Sequence, residues 1–178
     1  MPRRWLPSLT RRFLASSRAS VATEFAILSP VIVGLTLGML QIGVVYFANS
    51  QLQMAAEASA RIVRVGAANL MSTSQFHTAF CANIPSTLDC SGVIVNVWNA
   101  GSTAAAACAN LGITSPSIAY DSNGKVTNVS TFTAGSASSV MVLQALYPLP
   151  VIQVPYLNLG DSAGNMTLVS TIVFMNEP

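Results

Sequence analysis

Charge is the scarcest feature of this chain: Asp, Glu, Lys and Arg supply 8% of its 178 residues, against a usual share of about 25%. With 52% hydrophobic residues and a mean hydropathy of +0.55, intrinsic disorder is excluded and a wholly soluble cytosolic protein is disfavoured. The length leaves room for one domain plus an appendage, which excludes multidomain enzymes. Strong metal ligands are few, with one histidine and three cysteines. No G-x-G-x-x-G or phosphate-loop pattern occurs, so no nucleotide cofactor is expected.

The few charges are unevenly placed. Arg3, Arg4, Arg11, Arg12 and Arg18 crowd the first 18 residues with no acid among them. From residue 19 onward, three bases (Arg61, Arg64 and Lys125) face six acids (Glu24, Glu57, Asp89, Asp121, Asp161 and Glu177). That later part is net negative and offers no basic face to nucleic acid.

Between these regions, residues 25–48 (FAILSPVIVGLTLGMLQIGVVYFA) form an uncharged run of 24 residues. As a helix it would span roughly 36 Å, enough to cross a bilayer with modest tilt. Arginines precede it and none directly follows, so the positive-inside rule keeps the N-terminus in the cytoplasm and sends residues 49–178 outward. Tyr46 and Phe47 stand where interfacial anchors belong. The run is too long for a cleavable secretory signal, and the nearest A-x-A match, Ala58-Ser59-Ala60, comes too late. Pro30 is expected to kink the helix. Gly34 and Gly38 form a G-x-x-x-G that would let another helix approach closely, although glycine is also simply frequent in membrane helices.

Glu24 directly abuts the apolar run, where an ionisable group is costly and tends to have a partner. It lies in the stretch Ser20-Val21-Ala22-Thr23-Glu24-Phe25, after an arginine-rich leader and before an apolar helix with an early proline. Beyond the run comes NSQLQMAAEASAR, residues 49–61, and the chain closes on VFMNEP, residues 173–178. This arrangement resembles the TadE-like pilus assembly proteins, the minor pilins or pseudopilins of the tight-adherence branch of type IV pili. The resemblance implies cleavage by a prepilin peptidase between Ala19 and Ser20, with Glu24 at the fifth mature position and Phe25 after it. Ala19 stands where the family pattern has glycine, and Phe25 where the major pilins of this branch have tyrosine. Further implied partners are the inner-membrane assembly platform, other pilins and membrane lipid. The implied location is the bacterial inner membrane, with the C-terminal domain periplasmic or carried into a surface pilus.

The expected organisation is a basic leader (1–19), a long helix (20–70) containing the membrane segment, and an outer α+β domain (71–178). In residues 49–68, Leu52, Ala55, Ala56, Ser59, Ile62, Val63 and Gly66 recur at three-and-four spacing. This small-residue stripe would pack on the chain's own sheet or on other subunits, and Glu57 would pair with Arg61 one turn on. Thr73 is the expected N-cap of a short helix reaching about Ile84, before Pro85. Strands are expected at 93–98, at 125–132 after an Asn-Gly turn, at 140–147 and at 166–175, as one antiparallel sheet. Residues 100–119 read as a loop, and the proline run from Tyr147 to Pro155 as irregular, because proline cannot feed a ladder.

Cys81 and Cys90 flank a loop on the side read as oxidising, and similar chains carry a pair there, so the resemblance favours a disulfide between them. Three pairings remain open while Cys108 is unassigned. Gly160-Asp161-Ser162-Ala163-Gly164 matches G-x-S-x-G, with His77 and Asp121 earlier, but a nucleophile elbow needs a helix where 166–175 reads as strand. A membrane-anchored hydrolase using Ser162 and His77 is thus a distant rival, as is a signal-anchored binding domain unrelated to pili. His77 and Cys81 are a close ligand pair with no two further partners, so no metal is expected. The sequons at Asn128 and Asn165 carry little weight.

Overall fold

The computed structural model describes residues 17–68, 70–101, 118–123, 125–151, 160–161 and 163–177, the first four of these by backbone alone. Their fold is α+β, with a long apolar helix α1 (Ser17–Arg64), a short helix α2 (Thr73–Cys81) and a four-stranded sheet. The strands are β1 (Ile94–Gly101), β2 (Thr131–Phe132), β3 (Val140–Pro150) and β4 (Asn165–Met175), in the order β2-β1-β3-β4.

Helix α1 runs without a break through Pro30. It stops at Arg64, short of the expected end at residue 70, because Gly66 turns into the left-handed region at φ 73° and its N–H closes onto Val63 O at 3.0 Å, a glycine C-cap. The Glu177 N–H donates to Arg64 O at 3.1 Å, so the end of the chain satisfies one of the helix's last carbonyls. Glu57 accepts from Gln53 Nε2 at 3.3 Å rather than pairing with Arg61.

The small-residue stripe packs on the chain's own sheet. Gly38, Gln41, Ala48, Leu52, Ala55, Ser59 and Val63 are all buried, with Val45 half-buried, a seam of three- and four-residue steps that keeps one helix face on one partner. On the sheet side, Met141, Leu143, Ala145, Tyr147 and Leu149 of β3 and Leu168 and Phe174 of β4 join the same core. The registers place Ala145 opposite Ser170 and Leu143 opposite Ile172. Ala145 and Ser170 are buried, as are Ala55, Ala56 and Ser59 of the helix, so the packed face of the helix and the sheet core both carry small residues.

Three expectations about the sheet are corrected. It is mixed rather than antiparallel, since β2 pairs with β1 in parallel. The Asn96 side chain secures that pairing, its Oδ1 accepting from Thr131 N at 3.2 Å and Thr131 Oγ1 at 3.0 Å. The strand expected at 125–132 shrinks to two residues. Among the described residues this segment makes just the bridge Tyr120↔Val126, because Asp121 Oδ1 accepts from both Asn123 N and Lys125 N. Thirdly, β3 continues through Pro148 and Pro150, which pair with Thr167 and Asn165. Beyond Leu146, which faces Ile94, β3 has no paired strand on its β1 side among the described residues. Prolines two residues apart lack an N–H on the same side, so there they forfeit no ladder bond.

The cap of α2 also differs. Ser72, not Thr73, is the N-cap, and it forms a capping box with Gln75, since glutamine stands three residues after Ser72. The helix ends at Cys81 rather than Ile84. Phe76 and Phe80 are buried as expected, and Phe76 stacks on Phe132 with centroids 4.6 Å apart.

Near the chain's end, Asn176 N–H donates to Ser139 O at 2.9 Å and its Nδ2 to Ser136 O at 3.4 Å. A Cβ at Gly135 would collide with Met141 Sδ, Ser139 Oγ and Asn176 Nδ2, and Met141 is fully buried. Gly135→Ala is therefore expected to destabilise the fold by about 1 to 3 kcal/mol, the usual cost of overpacking. Urea unfolding of detergent-solubilised protein, followed by circular dichroism, measures this.

Candidate functional site

Two places carry the residues singled out from the sequence. The first is the N-terminal part of α1. Ala19, Ser20, Glu24 and Phe25 all lie on this helix, with Ser20 and Glu24 one turn apart, about 6 Å along the axis. Glu24 and Phe25 are exposed. From Val21 onward α1 is long and apolar enough to cross a membrane, and Phe25, Leu28, Ile32, Leu35 and Met39 present large exposed apolar side chains. No compact fold in water leaves such a surface bare.

Gly34 and Gly38 share one helix face but not one environment. A side chain at Gly34 would meet nothing within 4 Å, whereas Gly38 is buried at the start of the seam. The Gly34 half of the G-x-x-x-G is thus open, while the Gly38 half is covered.

The second place joins α2 to the entrance of β1. Cys81 ends α2 and Cys90 opens a single 3-10 turn, Cys90–Gly92. Their sulfurs lie at disulfide distance, with Cα atoms 5.7 Å apart, inside the range a disulfide needs. Cys108 lies outside the described residues. His77 bridges the same two segments. Its Nε2 must donate to Val93 O, 3.0 Å away, because a carbonyl only accepts, which leaves Nδ1 facing Cys81 Sγ at 3.6 Å. The ligand atoms of His77, Cys81 and Cys90 lie within 4.8 Å of one another. The sequence did not bring Cys90 to His77, and only the fold of residues 82–93 could. With the sulfurs joined, the group offers a metal one good ligand and fits a covalent clasp better.

Asp89 caps the 3-10 turn. Hydrogen bonds from the Ser91 hydroxyl, at 2.7 Å, and the Ser91 N–H, at 3.0 Å, hold its carboxyl below the ordinary value. A lowered carboxyl stabilises the fold above its unfolded value and loses that contribution as pH falls through the folded one. The cost of Asp89→Ala is therefore expected to be present at neutral pH and to vanish in strong acid, as thermal melts across pH would show.

Breaking the clasp has a larger effect. Cys81→Ser with Cys90→Ser is expected to cost about 2 to 3 kcal/mol, the loop-closure value for a short loop. Urea midpoints of oxidised and dithiothreitol-treated protein should differ in wild type and coincide in the variant.

Those residues of the hydrolase alternative that are described have other work in the fold. His77 is held as above, and Asp121 closes its turn. Asp161 Oδ1 accepts from Ala163 N at 2.9 Å and Asn165 N at 2.8 Å, and strand β4 starts at Asn165. That segment is a turn leading into a strand, without the helix a nucleophile elbow requires. Ser162 lies outside the described residues.

The decisive comparison concerns the first place. Residues 19–61 match the TadE-like protein family. The match begins at the expected cleavage site, includes Glu24, Phe25 and the whole apolar run, and ends on Arg61, near the top of the seam. It is consistent with a TadE-like pilus assembly protein and points to a Tad pilus-related function. TadE-like pilus proteins are generally structural components rather than enzymes. No curated protein and no solved structure matches the chain. The apolar helix and the TadE-like match together indicate membrane anchoring.

Proposed function

We propose that this chain is a minor pilin or pseudopilin of a Tad-type pilus. The observation that carries the reading is the position of the TadE-like match, which covers Ser20 to Phe25, the apolar run and most of the seam in one stretch. In this reading residues 1–19 form a cytoplasmic leader, and a prepilin peptidase cuts between Ala19 and Ser20. The helix stores the subunit in the inner membrane, and residues 71–178 fold on the periplasmic side. The protein acts through contacts with the assembly platform and with other pilins, and it catalyses no reaction. The open face at Gly34 serves close helix packing. The clasp between Cys81 and Cys90 suits an oxidising compartment.

Intact mass of the membrane-extracted protein, with and without its prepilin peptidase, tests the reading. Peptidase-dependent appearance of a chain starting at Ser20, together with protein in sheared filaments, is the expected result. A start before residue 20 in both strains, with no protein in filaments, would overturn it.

A further inference from the structure

The lower end of the sheet does not stand clear of the apolar helix. Leu149, Pro150 and Val151, at the end of β3, line a groove with Leu37, Gln41 and Val45 of α1. The start of β4 sits beside them, where Met166 and Val169 form a second groove with Ile42 and Tyr46. A hydrocarbon core of about 30 Å takes about 20 helical residues. Counted from the residue after Glu24, that length ends near residue 44, past the point where the sheet meets the helix. From that same starting point, residues 25–37 precede the buried seam and span about 20 Å, too short to fill the core alone.

Charge and burial agree with this placement. No Asp, Glu, Lys or Arg lines either lower groove. The upper end, by contrast, is lined by Glu57, Arg61, Arg64 and Glu177. Gln41, whose amide would be costly in contact with lipid, is only 8% exposed at the groove formed by the base of the sheet.

We infer that the base of the outer domain, centred on Pro150, Val151 and Met166, is a lipid-contacting surface seated in the outer leaflet of the bilayer. The surface continues the exposed apolar face of α1, so helix and domain base meet the membrane as one body. This rests on the membrane-anchored reading of α1. The domain is then not held away on a stalk. Its sheet axis is fixed relative to the membrane before any partner subunit is met.

Spin labels on single cysteines test it, in full-length protein carrying Cys108→Ser with Cys81 and Cys90 retained, reconstituted in phosphatidylcholine vesicles at low protein-to-lipid ratio. Labels are placed by Leu35→Cys, Val151→Cys, Met166→Cys and Arg64→Cys, and accessibility to oxygen is compared with accessibility to a water-soluble nickel chelate. The expected result is an oxygen-to-nickel ratio several-fold higher at positions 35, 151 and 166 than at 64. A high ratio at 35 with ratios at 151 and 166 like that at 64 would overturn the seated base and leave the membrane helix standing. A low ratio at 35 would remove the membrane reading and the inference with it. Two base positions are used so that misfolding at one, visible in its thermal melt, leaves the other to decide.

Discussion

Phe80→Ala is expected to destabilise the outer domain by about 3 to 5 kcal/mol, the cost of removing a large aromatic side chain from a core that cannot collapse around the gap. Phe80 is fully buried in the main core one residue before Cys81, so the adjoining backbone is tethered across the disulfide to Cys90 and cannot shift to fill the cavity. This exceeds the expected loss from breaking the disulfide itself. Against the 5 to 15 kcal/mol typical of a domain, it raises the unfolded fraction by two to four powers of ten. Urea unfolding in detergent should show a large drop in midpoint. Phe80→Leu, which keeps most of the volume, should lose less than about 2 kcal/mol. Equal effects of the two substitutions would mean the pocket relaxes and the tether does not hold it.

The same region shows how far the sequence could be read. The apolar run, the spacing of Phe76 and Phe80 and the alternation in β4 are local signals, and each appears in the fold where its period put it. The start of α2, whose hydrogen-bond partners lie close by in sequence, was readable to within a residue, with Ser72 and its capping box one place before Thr73. What local signals could not supply is whatever depends on a distant partner. Pro148 and Pro150 look forbidden in a strand until it is known that β1 stops opposite Leu146. Thr131 and Phe132 join β1 in parallel because Asn96, 35 positions earlier, offers its side-chain oxygen to Thr131. The stripe of Ala55, Ala56 and Ser59 was equally suited to another subunit or to the chain's own sheet, and only its burial against β3 and β4 settles which. Gln41 and Gly38 read as parts of a membrane helix, yet they begin the seam on which the domain sits.

That seam bears on the second large effect, expected at Glu24. If the helix is gripped from Gly38 upward, its lower turns are the part left to meet other subunits, and Glu24 is the acid there. Removal of the leader would make the Ser20 amine a cation one turn below it. Aligning the amine of one subunit with the Glu24 carboxylate of a parallel neighbour fixes a stagger of about 6 Å between them. At roughly 4 Å separation and an effective dielectric near 20, such a pair is worth about 4 kcal/mol, near a thousandfold in association. Glu24→Gln removes the charge at almost constant shape. It is expected to leave the amount of protein in the membrane unchanged while strongly reducing its recovery in sheared filaments, and Glu24→Asp should fall between the two. Uniform apolar packing along the helix would predict no difference between Gln and Glu at this position, because the exposed face from Phe25 to Met39 is intact in both. Wild-type recovery of the Glu24→Gln protein in filaments would therefore assign assembly to helix packing alone and remove any role for the charge pair in setting register.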